Sequence, residues 1–308
     1  MRAVLVVNPQ ATATTPAGRD VLAHALASEV KLDVVETDYR GHAMVTAAQA
    51  AEDGTDLVVA HGGDGTVNEV VNGLLAGRRT GGPALGVVPG GSANVFARAL
   101  GLPCTPVEAT HRLLHAIEEG RSRQVGLGQV RPDGAGARWF TFNAGVGWDA
   151  DVVADVDRKR GKKTSPTLYA RVAVARYLRQ ERKAPRMTVQ IPGEEAVEGL
   201  RTVFVSNTDP WSYLGNRPVH LNAGCTFDGG LGLFALRSLA APTVLRHLSQ
   251  ALSKRGEQRG RRMVRHDDVQ AIRVVSERPM RVQVDGDLLG EHQRVDFLAV
   301  PHALSVVA

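Results

Sequence analysis

Two stretches of the chain combine glycines with acidic, hydroxyl and amide side chains. The first reads Gly62-Gly63-Asp64-Gly65-Thr66 and is followed by Asn68-Glu69. The second reads Pro89-Gly90-Gly91-Ser92-Ala93-Asn94. Glycines let a backbone approach a bulky anion, and the first N–H groups of a helix favour negative charge. The chemistry that both stretches suit is therefore phosphate binding.

Each stretch needs a strand before it and a helix after it. The apolar run 57–61 fits a buried parallel strand, and valines and a leucine follow at helical spacing. The run 85–88 repeats the pattern. Because ligands bind outside the carboxyl ends of strands in a doubly wound sheet, we expect both loops to face one crevice. For the first loop alone, a turn in which Asp64 or Thr66 caps the helix is the alternative.

The pair of loops resembles the catalytic domain of the diacylglycerol kinase and sphingosine kinase superfamily, in its bacterial soluble lipid kinase branch. The first motif is shared with NAD kinases, whereas its combination with Asn68-Glu69 and Asn94 is more specific. The resemblance implies that the chain uses ATP and Mg²⁺, with Asp64 orienting the metal ion through water. The residues that it places at the nucleotide are Asn8, Thr37, Gly62, Gly63, Asp64, Gly65, Thr66, Asn68, Glu69, Gly91, Ser92 and Asn94.

The match to the family is partial at Asn8, and at Thr37 it depends on spacing. Asn8-Pro9 fits the start of the family's first loop, but the glycine that usually follows is missing. The loop is interpreted either as a wall of the nucleotide pocket or as a capped turn. Thr37, with Gly41 and Ala43 after it, fits the spacing of a hydroxyl residue that faces the nucleotide, and a strand-end threonine is the alternative.

The second half of the chain carries the residues for the acceptor. Asp285-Gly286-Asp287 resembles the family's Asp-Gly-Glu, which implies that Asp285 is the general base and that Asp287 replaces the glutamate. The catalytic set is thus Asp285, Asp287 and Asp64. A common hairpin turn is the alternative for Asp-Gly. Asp149 closes an element that resembles the family's Asn-x-x-Gly-x-Gly-x-Asp-Ala, without an assigned role.

A third resemblance concerns a metal ion. The segment 225–233 resembles the family's Asp-Asp-Gly-x-Leu-Asp turn, which holds a structural Mg²⁺. Asp228 matches, whereas Phe227 and Gly232 replace the flanking acids. A hard cation accepts carbonyls and waters beside one carboxylate, so Asp228 with the carbonyls of Cys225 and Gly230 is the predicted ligand set.

Composition places the chain among ordinary globular proteins. It has 308 residues, 43% hydrophobic and 22% charged, which suffices for two domains. The two cysteines, Cys104 and Cys225, are expected to be structural. No signal-peptide core and no run of 18 apolar residues occurs, so a cytoplasmic protein that associates peripherally with membranes is predicted.

The order of patterns predicts an α/β fold with two domains. Strands and helices alternate up to Gly101, which indicates a doubly wound parallel sheet, and a helix at 106–119 closes this part. Residues 1–123 are predicted to bind the nucleotide. Residues 124–308 are predicted to form a β-rich, sandwich-like lipid-substrate domain whose last strands, 294–300 and 302–307, finish it or return to the first domain. The active site is expected in the interdomain cleft.

The net charge of +5 is concentrated in two basic blocks. Residues 157–186 hold eleven lysines and arginines and two acids, with a helix expected from Pro166, and a second block spans 254–265. A solvated face is the common meaning of such blocks, but on a lipid enzyme they suggest attraction to an anionic leaflet, at about 1 kcal/mol per residue. Nucleic acid is not expected as a partner because no recognised fold for it is present. A homodimer is left open.

The resemblance implies transfer of the ATP γ-phosphoryl group to a primary hydroxyl of a lipid, with diacylglycerol as the first candidate and phosphatidic acid as the product. One alternative is a soluble-substrate kinase similar to an NAD kinase. The other is a non-catalytic regulator that binds nucleotide or lipid. It is suggested by Val95, where the family usually has aspartate, and by the replaced acids at 227, 232 and 287.

Overall fold

A computed structural model describes residues 1–77, 82–159 and 186–308. Most of the first basic block, together with the helix expected from Pro166, lies outside the described residues. The chain divides into two compact units. The first consists of Met1–Val125 and His302–Ala308, and the second of Gly126–Pro301.

The first unit alternates strands with helices, as the sequence predicts. Its strands are β1 (Arg2–Val7), β2 (Lys31–Glu36), β3 (Leu57–Gly62) and β4 (Ala84–Pro89). Its helices are α1 (Pro16–Ala27), α2 (His42–Glu52), α3 (Asp64–Leu74), α4 (Val95–Ala99) and α5 (Pro106–Glu118). Threonines cap α1 and α5 just before a proline at the first helical position, a placement that satisfies exposed N–H groups.

The four strands are parallel and stand in the order β4, β3, β1, β2. The register pairs Val7 with both Glu36 and His61, and it pairs Gly62 with Pro89. The carboxyl ends of the strands therefore lie level, and the loops that follow them start side by side. β3 is buried along its whole length, which explains its continuous apolar run.

Helices α2 and α3 pack closely through small residues. A Cβ at Gly73 would overlap the Met44 carbonyl oxygen and would lie 2.8 Å from the Ala47 Cβ. Ala43, Ala47 and Ala50 form the buried face of α2. This contact fixes the direction in which α3 leaves the glycine loop.

The second unit is built mainly from strands. Those up to residue 206 are β5 (Arg123–Pro132), β6 (Arg138–Phe140), β7 (Asn143–Gly147), β8 (Met187–Gln190), β9 (Val197–Leu200) and β10 (Thr202–Ser206). The later ones are β11 (Ser212–Leu214), β12 (Arg217–Val219), β13 (Leu231–Leu236), β14 (Met263–Val269), β15 (Ala271–Val284) and β16 (Asp287–Val306). The described helices are α6 (Trp148–Lys159) and α7 (Ala241–Ala251).

The strand order β14, β13, β10, β7, β15, β16 forms the antiparallel sheet of this unit. Its core consists of buried aliphatic side chains together with Phe140 and Phe297, whose rings meet edge to face at 6.2 Å. The prediction of an α/β part followed by a β-rich part is confirmed. Among the described helices, none is both long enough and apolar enough to cross a bilayer.

The end of the chain differs from the expected pair of strands. β16 runs without interruption through 301–302, although His302 has φ +50°. Pro301 and His302 interrupt the apolar pattern of the sequence, but the strand continues through them. Val306 pairs with Leu85 of β4 in parallel, and the Val307 N–H donates to the Leu85 carbonyl at 2.9 Å.

Candidate functional site

The loop after β3 passes into α3 without a spacer. Gly63 occupies the N-cap position of the helix and has no side chain that could cap it. Asp64 and Thr66 lie inside α3, so neither of them occupies its N-cap position. The N-terminal N–H groups of this helix carry the positive end of its dipole, which suits an anion.

The two glycine loops contact each other through their backbones. The Gly90 N–H donates to the Gly62 carbonyl at 2.7 Å. A Cβ on Gly91 would lie 2.6 Å from the Gly63 Cα, closer than any real side chain allows. A Cβ on Gly65, by contrast, would meet no protein atom within 4 Å. Among the glycines of the two loops, only Gly65 thus leaves open space, whereas a Cβ on Gly62, Gly90 or Gly91 would come closer than 3.0 Å to protein atoms.

Asn94 holds the second loop in shape. It adopts φ +48° and ψ +47°, a left-handed conformation that asparagine tolerates. Its Oδ1 accepts from the Gly91 N–H at 2.9 Å, and its Nδ2 donates to the Gly91 carbonyl at 2.8 Å. Ser92 is exposed beside it, with its hydroxyl 3.3 Å from that of Thr12. The side-chain amide of Asn94 therefore bonds both polar backbone groups of Gly91, as a paired backbone segment would.

Asp64 and Asn8 connect the first loop to its neighbours. The Asp64 Oδ1 accepts from the Phe96 N–H of α4 at 3.2 Å. The Asn8 Nδ2 donates to the Thr66 hydroxyl at 2.9 Å, and the Asn8 Oδ1 accepts from the Gln10 N–H at 2.9 Å. The structure thus brings together the loops after β1, β3 and β4. Roles of these side chains toward a nucleotide stay predictions.

Three further predicted residues extend this assembly. The Glu69 Oε1 accepts from the Gly41 N–H at 2.8 Å, which ties α3 to the start of α2. Thr37 follows β2, and its N–H donates to the Val7 carbonyl at 2.8 Å. Asn68 is fully buried, and its Oδ1 accepts from the Asn72 amide at 3.1 Å. Asn68 therefore lies inside the unit rather than at the open edge of the loops.

His61, near the end of β3, contacts the neighbouring strand and the loop after β1. The sequence motifs assigned it no role. Its Nδ1 lies 3.1 Å from the Val88 carbonyl and its Nε2 3.3 Å from the Thr14 hydroxyl. Burial lowers the pKa of its imidazole, against the opposing effect of the Val88 carbonyl. A neutral ring that joins β3, β4 and the loop after β1 is the result. The signal in the sequence was a histidine inside an otherwise apolar strand.

In the second unit, Asp285 and Gly286 form a two-residue hairpin turn. Their φ values are +47° and +83°, and Val284 pairs with Asp287 across the turn. Positive φ at both central residues defines the turn type for which Asp-Gly is preferred. The hairpin that the sequence offered as an alternative is therefore present, and it does not exclude a chemical role.

The Asp285 side chain is held by four donors from the 141–143 segment. Its Oδ2 accepts from the N–H and the hydroxyl of Thr141, at 2.7 and 2.8 Å. Its Oδ1 accepts from the N–H groups of Phe142 and Asn143, both at 3.1 Å. Burial raises the pKa of the Asp285 carboxyl, and these hydrogen bonds oppose the rise. A carboxylate with a raised pKa is a stronger base once it is ionised.

A second buried carboxylate lies nearby in the same unit. The Asp149 Oδ2 accepts from the Gln283 Nε2 at 2.8 Å, and the same amide nitrogen reaches the Asn143 Oδ1 at 3.2 Å. Burial raises the pKa of Asp149 to about 7, with the Gln283 hydrogen bond opposing. A Cβ on Gly145 would overlap this carboxylate, so the glycine makes room for it. Asp287 is separate and pairs with Arg138 at 3.0 Å.

Comparison with known proteins matches residues 2–130 to the family model described as the diacylglycerol kinase catalytic domain. This segment carries both glycine loops, Asn8 and Thr37. Residues 2–130 are thus similar to this family. The resemblance stated from the sequence is thereby confirmed, and the chain is placed among the kinases.

A relative and two solved structures extend the comparison. A diacylglycerol kinase from Staphylococcus saprophyticus is 28% identical over 276 residues, 88% of this chain and 83% of the relative. A diacylglycerol kinase crystal structure from Bacillus anthracis superposes with a TM-score of 0.72 at 21% identity, over 99% of this chain and 96% of that one. An NAD kinase from Archaeoglobus fulgidus, in complex with ATP, gives 0.55 at 13% identity, over 100% and 94%. The two structures share the fold.

The turn predicted to bind a metal ion lies at 225–230, and its ligand set stays a prediction. Asp228 is exposed, and the Cys225 carbonyl accepts from the Asp209 N–H at 3.2 Å. The Gly230 N–H donates to the Asp268 Oδ1 at 2.6 Å, so the acid that touches the turn comes from β14. Burial and nearby aspartates raise the pKa of the Cys225 thiol to about 12. No group of three or more metal-ligating side chains occurs within the described ranges.

Proposed function

We propose that the protein is an ATP-dependent lipid kinase that transfers the γ-phosphoryl group to a primary hydroxyl of diacylglycerol and forms phosphatidic acid. The observation that carries the proposal is the pair of glycine loops, packed backbone to backbone beside the N-terminus of α3, whose N-cap residue is a glycine. A polyphosphate is the ligand that such a surface suits.

Phosphoryl transfer asks mainly for positioning and charge neutralisation. The backbone N–H groups at the start of α3 would bind phosphate oxygens, and Gly65 would give them access. Bound Mg²⁺ would supply charge neutralisation at the phosphates. Asp64, the only acid of the loop, is the residue that would hold a water of this ion.

Asp285 is proposed as the base for the acceptor hydroxyl. The lipid oxygen forms its bond to the γ-phosphorus while the bond from phosphorus to the bridging oxygen of ADP breaks, and the hydroxyl proton passes to the carboxylate. A carboxylate has about four acceptor positions, and four donors engage those of Asp285. The lipid hydroxyl must therefore replace one donor. The Thr141 hydroxyl is the one that can rotate away, since the other three are backbone N–H groups.

One experiment distinguishes the proposed function from two other functions. The fold shared with an NAD kinase supports a soluble substrate as the second candidate. Radiolabelled ATP is offered with diacylglycerol in vesicles, with NAD, and with neither. Label in phosphatidic acid supports the proposal, whereas label in NADP supports the second candidate. ATP binding without transfer to any acceptor would indicate a regulator.

The lipid substrate implies a protein that works at a membrane surface. The second basic block supports peripheral association, because its arginines and lysine from 254 to 262 are exposed. In the first block, Arg158 is exposed at the end of α6. We propose association with anionic lipid as the way in which the protein reaches its acceptor.

A further inference from the structure

Helix α7 buries a histidine and exposes leucines, the reverse of the usual pattern. His247 is 5% exposed, its Nδ1 lies 2.9 Å from the Gln258 Oε1, and its ring meets that of Phe234 edge to face at 5.5 Å. Leu245 and Leu248 are 64% and 49% exposed. A polar side chain therefore anchors the helix, while two large apolar side chains remain on the outside.

The exposed leucines continue into a neighbouring cavity. Leu252 follows Leu245 and Leu248 at helical spacing, and it lines a cavity of about 500 Å³ together with Pro218 of β12. Leu214 of β11 is 48% exposed and stands directly opposite Arg217 in the hairpin. We call the surface formed by Leu214, Leu245, Leu248 and Leu252 the leucine surface.

Cations surround the leucine surface. Arg217 and Lys254 line the same cavity, and Arg246 is exposed on α7 between the two leucines. Residues 241–262 contain six lysines and arginines and one acid. Within the described part of the chain, Arg217, Arg246 and Lys254 form no ion pair. Their charge is thus available to a partner.

We propose that the leucine surface docks on an anionic lipid bilayer, an inference that rests on the proposed function, in which the acceptor is a membrane lipid. Apolar side chains flanked by cations fit the boundary between headgroups and acyl chains, where the leucines enter and the cations contact phosphates. A second copy of the chain is disfavoured, because a two-fold contact would bring the same cations together. The charge pattern therefore selects a negative, apolar partner.

The test measures binding to vesicles of phosphatidylglycerol and phosphatidylcholine by sedimentation. The double variant Leu245→Ser, Leu248→Ser is expected to bind about tenfold more weakly or worse, because it loses the apolar part of the contact. The matched control is Val107→Ser on α5, a position that is 76% exposed and far from this helix in sequence. It is expected to bind within about twofold of the wild type.

Turnover of a short-chain diacylglycerol in buffer separates docking from catalysis. Equal turnover by the double variant and the wild type, with weaker vesicle binding, supports docking by this surface. Unchanged vesicle binding overturns the proposal, and so does conversion of a wild-type dimer into a monomer, which would make the surface an interface between copies. If the wild type binds vesicles through the leucines but phosphorylates no lipid, the proposed function fails and the docking surface stands.

Discussion

The two regions assigned to the reaction are built in opposite ways. In the first unit, side chains such as Asn8, Asn94 and Glu69 hold loops in place, while the N-cap residue of α3 is a glycine. In the second unit, backbone groups hold a side chain, since Asp285 accepts from three N–H groups and a hydroxyl. In the glycine loops, the groups that stabilise the fold therefore differ from the backbone groups proposed to bind phosphate. At Asp285, the carboxylate oxygens that accept the stabilising hydrogen bonds are also the ones proposed to act as the base.

The largest effect is expected for Asp285→Asn. An amide cannot accept a proton from the substrate, so turnover of soluble substrate should fall by about 10²–10⁴-fold. Its NH₂ group would also face N–H donors, so the free energy of unfolding should fall by about 2–5 kcal/mol. Kinetics on short-chain diacylglycerol and urea unfolding measure the two losses.

Thr141→Val is the control, because it removes only the donor that is proposed to yield to substrate. It should cost about 1 kcal/mol in stability and less than about tenfold in turnover. A stable and active Asp285→Asn protein would contradict the assignment of the base and the importance of its four hydrogen bonds alike.

Gly91→Ala should separate the two glycine loops. The added Cβ would lie 2.6 Å from the Gly63 Cα and 3.0 Å from the Asn94 Oδ1, and backbone atoms cannot move away cheaply. Unfolding free energy should fall by about 1–3 kcal/mol, together with ATP affinity. Gly136→Ala is the matched control, because a Cβ there meets nothing within 4 Å. Equal unfolding midpoints for the two variants would show that the loops do not need this contact.

These expectations show what the sequence could and could not predict. The order of strand, glycine loop and helix was readable at β3 and β4, because apolar runs and glycines are local signals. The Asp-Gly turn was readable for the same reason. The donors of Asp285 were not, since they lie more than 140 residues away in the chain. The role of His61 depends likewise on partners from two other segments.

The glycines of the two loops show a second limit of prediction from sequence. The sequence predicted that they make room for a ligand, and the structure shows that Gly62, Gly90 and Gly91 already make room for protein atoms. The same residue type serves both purposes, so no sequence pattern separates them. The motifs also could not predict which substrate the protein selects, because that selectivity depends on generic apolar surfaces.

The raised pKa of Asp149, which lies in the second unit, predicts that the stability of the protein depends on pH. Its folded pKa of about 7 lies above the ordinary value of 3.8, so the folded state binds more protons between these values. Stability should therefore be greatest below about pH 4 for this group and should fall as pH rises to about 7, at about 1.4 kcal/mol per pH unit.

The measurement is urea unfolding at pH 5 and pH 7.5 for the wild type and Asp149→Asn. Asp285, whose pKa is raised in the same direction, contributes to both proteins, so the difference between their slopes isolates Asp149. The variant should lose less stability over this interval. Parallel slopes would mean that Asp149 stays ionised in the folded protein.

The smallest and most selective effect is expected for Gly65→Ala. This glycine lies in the first turn of α3, and its Cβ would meet no protein atom within 4 Å. Alanine is the better helix former, so unfolding free energy should stay equal or rise by up to about 1 kcal/mol. The new methyl group would nevertheless stand where a phosphate is proposed to approach the first N–H groups of the helix, so ATP should bind about tenfold more weakly, as calorimetry can measure. Gly91→Ala should lose stability and affinity together, whereas Gly65→Ala should lose affinity alone. If Gly65→Ala binds ATP as the wild type does, the phosphates do not lie against this turn, and the open space beside Gly65 has another cause.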